Sequence, residues 1–251
     1  KPMNVLPPEL MQELGGLVEK AVADDAVKGI VLTSGKQAFI AGADIKDMVT
    51  AYDRGVTPRE ASEFSLGLNR TLRRMETCGK PVAAAINGLA LGGGLEVCLA
   101  CHYRVLADHP KAVLGFPEVN IGLLPGAGGT QRTPRLIGFR NAAAMVLQCR
   151  NQKPAEALKL GLVHELAPPA EVVARARRWV LEAGDAVQPW DKKGFRIPHG
   201  DLNSPATAQV FMGGNALITK NTKHNYPAPI AAQSAMFEGC VTSIDAGLKI
   251  E

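Results

Sequence analysis

PVAAAINGLALGGGLEVCLA, residues 81–100, holds a strand, a turn and a helix start in one nearly unbroken apolar line. Val82 to Ile86 is a short apolar strand candidate, closed by a turn at Asn87-Gly88. Three successive glycines follow, Gly92, Gly93 and Gly94, and then an apolar helix candidate, Leu95 to Cys101, with one carboxylate, Glu96, in its first turn. Glycines leave backbone N–H groups unobstructed, and a helix start offers unpaired N–H groups at the positive end of its dipole. Such a place can stabilise an oxygen that gains negative charge. A carboxylate one turn away, among apolar neighbours, is placed to handle a proton. A second carboxylate, Glu118, stands in GFPEVNIGLLPGAGGTQR, residues 115–132, after a strand candidate and a proline.

The elements on either side give the architecture. Pro7 to Asp24 carries Leu10, Leu14, Leu17, Val18 and Val22 at helical spacing behind a Pro-Pro start, which predicts an amphipathic helix. Gly29–Thr33 predicts a short buried strand and Phe39–Ile40 a second, stopped by Ala41-Gly42-Ala43. Asp44-Ile45-Lys46 fits a helix cap and first turn. Pro58–Cys78 reads as a helix with arginines near its C-terminal end, as the dipole favours. Further strands are expected at Tyr103–Ala107, Val113–Phe116 and Gly161–Leu166, and helices at 139–149, 154–160 and 169–183. Short strands alternating with helices imply parallel pairing and right-handed connections, an α/β fold. From Ala186 the character changes to a Pro- and Gly-rich connector, AVQPWDKKGFRIPHGDLNSP, followed by helical patterns. The expected division is therefore a core of residues 1–185 and a connector with a partial helical extension, 186–251.

Composition narrows the function classes. At 251 residues, 46% hydrophobic and 21% charged, the chain can bury a sizeable core and is not expected to be disordered. A net charge of +4 without any Lys/Arg-rich block interleaved with aromatics gives no footprint for nucleic acid. Five cysteines, odd in number and without framework spacing, predict reduced thiols and a cytoplasmic compartment. No apolar run reaches the roughly 18 residues of a membrane helix, and there is no signal-peptide pattern. The chain starts without Met and stops at GLKIE, residues 247–251, inside a helical pattern, so it is expected to be a fragment of a longer protein.

Several motifs have a plainer reading. Cys98-Leu-Ala-Cys101-His102 matches a covalent haem pattern, but two cysteines three apart on an apolar helix read as its buried face. Gly126-Ala-Gly-Gly-Thr-Gln resembles a dinucleotide loop, yet Gln131 stands where glycine is required and no convincing strand precedes it. A glycine turn packed against a neighbour is expected there instead. His164-Glu165 lacks the second histidine of a zinc helix, the other histidines (His102, His109, His199, His224) are scattered, and no serine sits in a nucleophile elbow. Glu96 and Glu118 remain, and they point to a two-carboxylate acid/base site whose substrate physics leaves open.

Three longer segments carry a family resemblance. AFIAGADIKDM (38–48), KPVAAAINGLALGGGLEVCLACHYRV (80–105) and FPEVNIGLLPGAGGTQRTPRLIG (116–138) resemble the defining segments of the enoyl-CoA hydratase/isomerase (crotonase) family. QPWDKKGFRIPHG (188–200) and NYPAPIAAQSAMFEG (225–239) are similar, more narrowly, to the hydratase/isomerase part of multifunctional fatty-acid β-oxidation proteins, whose other half is an NAD-dependent dehydrogenase. The resemblance implies the ClpP/crotonase spiral of ββα units with a C-terminal helical extension, and the family's opening strands are missing ahead of KPMNVL. It implies that the backbone N–H groups of Ala43 and Gly93 form an oxyanion hole for a thioester carbonyl. The loop from Ala41 through Asp44 and Ile45 to Lys46 would follow the CoA moiety, with Lys46 near its phosphates. Glu118 would exchange a proton with the α-carbon, and Glu96 would position and activate the water.

The implied enzyme is an enoyl-CoA hydratase with isomerase activity. It would need no metal and no cofactor of its own; NAD would belong to the missing dehydrogenase part. Its partners would be an acyl-CoA substrate, that dehydrogenase part and a thiolase subunit, with no nucleic acid and no membrane segment. The competing expectations are a stand-alone enzyme of the family acting on another acyl-CoA, and a non-catalytic acyl-CoA-binding module. A serine peptidase on the same spiral would need a Ser–His pair near the glycines, and none stands there.

Overall fold

In the computed structural model, which describes residues 3–184, 186–200 and 204–251, the short apolar runs become parallel strands and the amphipathic runs become helices around them. In chain order the elements are α1 (Pro8–Ala23), β1 (Ile30–Leu32), α2 (Ile45–Asp53), α3 (Pro58–Glu76), β2 (Val82–Ile86), β3 (Ala90–Leu91), α4 (Gly93–Leu99), β4 (Tyr103–Ala107) and β5 (Leu114–Gly115). A 3-10 turn at Glu118–Ile121 precedes α5 (Gly129–Val146), α6 (Pro154–Leu160), β6 (Glu165–Ala167) and α7 (Val172–Glu182). After a second 3-10 turn, Pro189–Asp191, come α8 (Pro205–Thr222), α9 (Ala228–Cys240) and α10 (Ile244–Ile250).

Four strands form one parallel sheet in the order β1-β2-β4-β6, with Ala83 opposite Tyr103 and Val105 opposite Glu165. β2 is buried along its whole length, as a strand covered on both faces must be. A second, smaller layer pairs β3 with β5, and single bridges add Ile40 beside Ala90 and Gln152 beside Leu114. Phe39–Ile40 thus contributes one bridge rather than a strand of its own. The strand expected at 161–166 lies later, at Glu165–Ala167, because Gly161 caps α6 in the left-handed conformation first. α7 covers the main sheet, where Tyr103 stacks on Trp179 with centroids 4.7 Å apart.

The largest departure from expectation is α5, which starts at Gly129 instead of near residue 139. Gly138 leaves the helical path (φ 76°, ψ 163°), so the segment is two helices joined at a kink, and only the second was legible as an apolar period. The first turns are buried and polar: Thr130, Gln131, Arg132 and Arg135 all lie inside. Arg132 pairs with Glu76 of α3 at 2.7 and 3.2 Å, both side chains fully enclosed. Arg73, one turn earlier on α3, bonds Asp191 of the second 3-10 turn and Asp245 of α10. These charges lock α3, α5 and the C-terminal helices together, while α9 and α10 pack over α5.

Candidate active site

The glycine run lies where the two sheets meet. β3 leads into Gly92, which takes φ 52° and ψ −127°, a conformation costly for any residue with a side chain. Space makes the same demand, since a Cβ there would run into the Glu118 carboxylate. Gly93 then opens α4, where first-turn N–H groups have no acceptor inside the helix. The loop after Ile40 is drawn alongside by the Ile40–Ala90 bridge and by the Leu91 N–H donating to the Ile40 carbonyl at 3.0 Å. Asn4 and Leu6 hold its other side: Ala41 donates to the Asn4 carbonyl at 2.9 Å, and Leu6 donates to the Gly42 carbonyl at 3.0 Å. Among the described residues, neither the Ala43 nor the Gly93 N–H is donated to a backbone carbonyl. Asp44 caps α2 by accepting from the Lys46 N–H at 3.0 Å, and Ile45 and Lys46 are exposed on its first turn.

The two glutamates arrive from different directions. Glu96 points off α4 and is almost fully buried. Its Oε1 accepts from the backbone N–H groups of Ala127 and Gly129, both at 2.7 Å, which leaves Oε2 on the side of Gly93. Glu118 starts the 3-10 turn after β5, and its buried Oε2 has no hydrogen-bond partner. Tyr226, ahead of α9, fixes that turn by donating to the Val119 carbonyl at 2.7 Å.

Both carboxyls titrate high. Burial raises Glu96 well above the ordinary carboxyl range, and the charges of Glu251 and Glu118 raise it further, against the pull of the two backbone N–H groups. Glu118 is raised to about 7, chiefly by burial, with Glu251 adding to the rise. A buried acceptor oxygen without a partner and a carboxyl half-protonated near neutrality are what a proton-exchanging group needs.

Two features of the site were not legible in the sequence. The Gly126–Gly129 turn is a cradle for Glu96, not merely a packing turn: a Cβ on Gly129 would sit 2.8 Å from Glu96 Oε1. A third carboxylate, Glu251, reaches the same turn from the end of α10, accepting from the Gly128 N–H at 2.5 Å and the Thr130 N–H at 2.9 Å. Close glycines hinted at the first; nothing in the local pattern pointed to the second.

The motifs given a plainer reading keep it. Cys98 and Cys101 are buried, the latter with its thiol pushed up to about 12 by burial. His102 accepts from the Val82 N–H through Nδ1 and donates through Nε2 to the Glu76 carbonyl, a structural bridge. Among the described residues no three His, Cys, Asp or Glu side chains gather as a metal site, and no helix is long and apolar enough to cross a membrane.

Comparison with known proteins agrees with this geometry. The enoyl-CoA hydratase/isomerase family profile matches residues 1–188. A fatty acid oxidation complex subunit alpha from Shewanella halifaxensis is 38% identical over 252 residues, covering 99% of this chain and 35% of its own. The counterpart from Shewanella amazonensis is 36% identical over 257 residues, with the same coverage. The chain therefore spans about a third of the length of these curated relatives. Among solved structures, an enoyl-CoA hydratase from Bacillus anthracis superposes with a TM-score of 0.64 at 28% identity, covering 99% of this chain and 80% of that one. DspI from Pseudomonas aeruginosa gives a TM-score of 0.66 at 31% identity over 72% of each chain. The fold is the crotonase type, and the chain belongs to the enoyl-CoA hydratase/isomerase family.

Proposed function

We propose that this chain adds water to trans-2-enoyl-CoA to give 3-hydroxyacyl-CoA, and that it also shifts a Δ3 double bond to Δ2. The observation that carries the reading is the pair of desolvated carboxyls, Glu96 and Glu118, on either side of the Gly92–Gly94 run. In this reading the thioester oxygen accepts from the N–H groups of Ala43 and Gly93. The loop of Ala41, Asp44, Ile45 and Lys46 follows the CoA moiety.

Glu96 takes a proton from water through Oε2 while the water oxygen bonds to the β-carbon. The π electrons move onto the α-carbon and thioester oxygen, where the two N–H groups hold the enolate charge. Protonated Glu118 then gives its proton to the α-carbon, and proton exchange with water resets the pair. The backbone N–H groups on Glu96 Oε1 offset only part of the burial that raises its pKa, so Glu96 acts as base in its ionised fraction, while the high pKa of Glu118 keeps a protonated fraction at neutral pH. No step needs a metal or a nicotinamide; NAD would serve a dehydrogenase part outside this chain.

The relatives are named alpha subunits of a fatty acid oxidation complex and are about three times as long as this chain, which supports a longer protein within a complex. That the rest holds a dehydrogenase part, and that a thiolase subunit is a partner, is proposed from the family resemblance. The proposed division is a catalytic core of 1–185 and a connector with a helical extension, 186–251. Five unpaired cysteines fit a reducing, cytoplasmic compartment. The test is loss of the conjugated enoyl-thioester absorbance on adding trans-2-enoyl-CoA to the intact protein with a chelator present. Turnover is expected; a strict requirement for added metal would overturn the reading.

A further inference from the structure

Glu251 makes contacts that a helix-end glutamate on a surface does not make. Its two carboxylate oxygens accept separately: Oε1 from the Gly128 N–H at 2.5 Å, and Oε2 from both the Thr130 N–H, at 2.9 Å, and the Thr130 hydroxyl. The neighbouring N–H groups of the same turn, those of Ala127 and Gly129, go to Glu96 at 2.7 Å each. Four consecutive backbone donors, residues 127 to 130, are thus dealt alternately to two carboxylates on opposite sides of one turn. The two sets are coupled, because the successive peptide planes that carry them are joined at common Cα atoms within one short turn.

We infer that Glu251 is a positioning residue for Glu96: the carboxylate brought by α10 fixes the Ala127–Thr130 turn, and that turn aims Glu96 at the reacting water. This rests on the hydratase reading above and extends it to a group that never touches the substrate. The geometry also makes Glu251 an electrostatic neighbour. The groups facing it are Glu96 of α4, Glu118 of the first 3-10 turn, Arg132 and Arg135 of α5, and Cys240 of α9. After burial, its negative charge is the next influence raising Glu96, and it raises Glu118 as well. Removing that charge therefore moves both carboxyls toward lower pKa.

Two variants of the intact protein separate reach from charge. In Glu251→Gln an amide NH2 must face one of the N–H donors, so one side of the grip is lost together with the charge. kcat for enoyl-CoA hydration is expected to fall roughly 10–100-fold, as sub-ångström misplacement of a catalytic group does, with KM little changed. Both limbs of the pH–rate profile should move toward lower pH. Glu251→Asp keeps the charge but is one methylene short, so kcat should fall while the limbs stay closer to their wild-type positions. A Glu251→Gln protein that melts earlier yet keeps wild-type kcat and pH limbs when folded would make the residue purely structural and overturn the inference.

Failure of the wild-type protein to hydrate enoyl-CoA would instead remove the function reading. The positioning claim is then decided by NMR of selectively labelled protein. The Ala127 and Gly129 amide protons and the Glu96 carboxyl should shift in Glu251→Gln, and unchanged signals refute it.

Discussion

Glu118 sits at a conflict between stability and chemistry. Folding buries its carboxyl and lifts the pKa from an ordinary 4.5 to about 7, so between those values the folded chain holds a proton that the unfolded chain has released. Stability must fall as pH rises through that window, because the folded state has to release the proton into a site that disfavours the charge. Glu118→Gln is neutral at every pH. It should therefore melt at a higher temperature than wild type at pH 8 and show little advantage near pH 4. An equal difference at both pH values would contradict the assignment. The same variant should lose about 10²–10⁴-fold in both hydration and isomerisation, since an amide cannot exchange the α-carbon proton. Glu96→Gln should lose hydration on that scale and isomerisation less, because only hydration needs an activated water. Measuring kcat for both reactions in both variants checks the roles; a Glu96 variant that loses isomerisation first would reverse them. Both residues stood out in the sequence because carboxylates are rare beside glycine runs and apolar helices. Their elevated pKa values did not, since those depend on burial and on Glu251.

At the scale of elements, two helix starts do different work. The start of α4 was legible from its glycines, and its open N–H at Gly93 follows from helix geometry alone. The start of α5 was not, because its first turns carry Thr130, Gln131 and Arg132, a polar face normally solvent-exposed but here buried against α3, α9 and α10. Tertiary ion pairing overrode the local pattern. α2 offers the clearest handle on the CoA end of the proposed site: Asp44 caps it, none of its residues is buried, and Lys46 is exposed beside Ala43. Lys46→Glu should raise KM for a CoA thioester by about three- to tenfold at low salt, with kcat nearly unchanged. The effect should shrink as salt is added. A kcat loss without a KM change would place Lys46 elsewhere in the chemistry.

Across the whole molecule, the chain builds the candidate site around Glu96 and Glu118 and clamps it with α9 and α10, far along the sequence. The parallel sense followed from strand–helix alternation, whereas the order β1-β2-β4-β6 is set by pairings between distant segments that the alternation does not specify. The clamp was not legible either, because charged pairs between distant segments leave no periodic trace. Its anchor is the enclosed pair of Glu76 and Arg132. Glu76→Gln would leave the Arg132 guanidinium buried without its counter-charge and should cost about 3–5 kcal/mol in urea denaturation. Replacing both partners by Leu and Met should recover most of that loss. A single variant as stable as wild type would mean water reaches the pair.

The Gly128–Glu251 bond also sets a timetable. Its partners lie 123 positions apart, and Thr130 waits almost as long for the same carboxylate. At the ordinary pace of translation, about 5–20 residues per second, the glycine turn emerges roughly 6–25 s before the side chain that secures it. During that interval two of the four donors have no native acceptor. The newborn chain can close its sheets, but the turn beneath Glu96 is finished only when α10 docks.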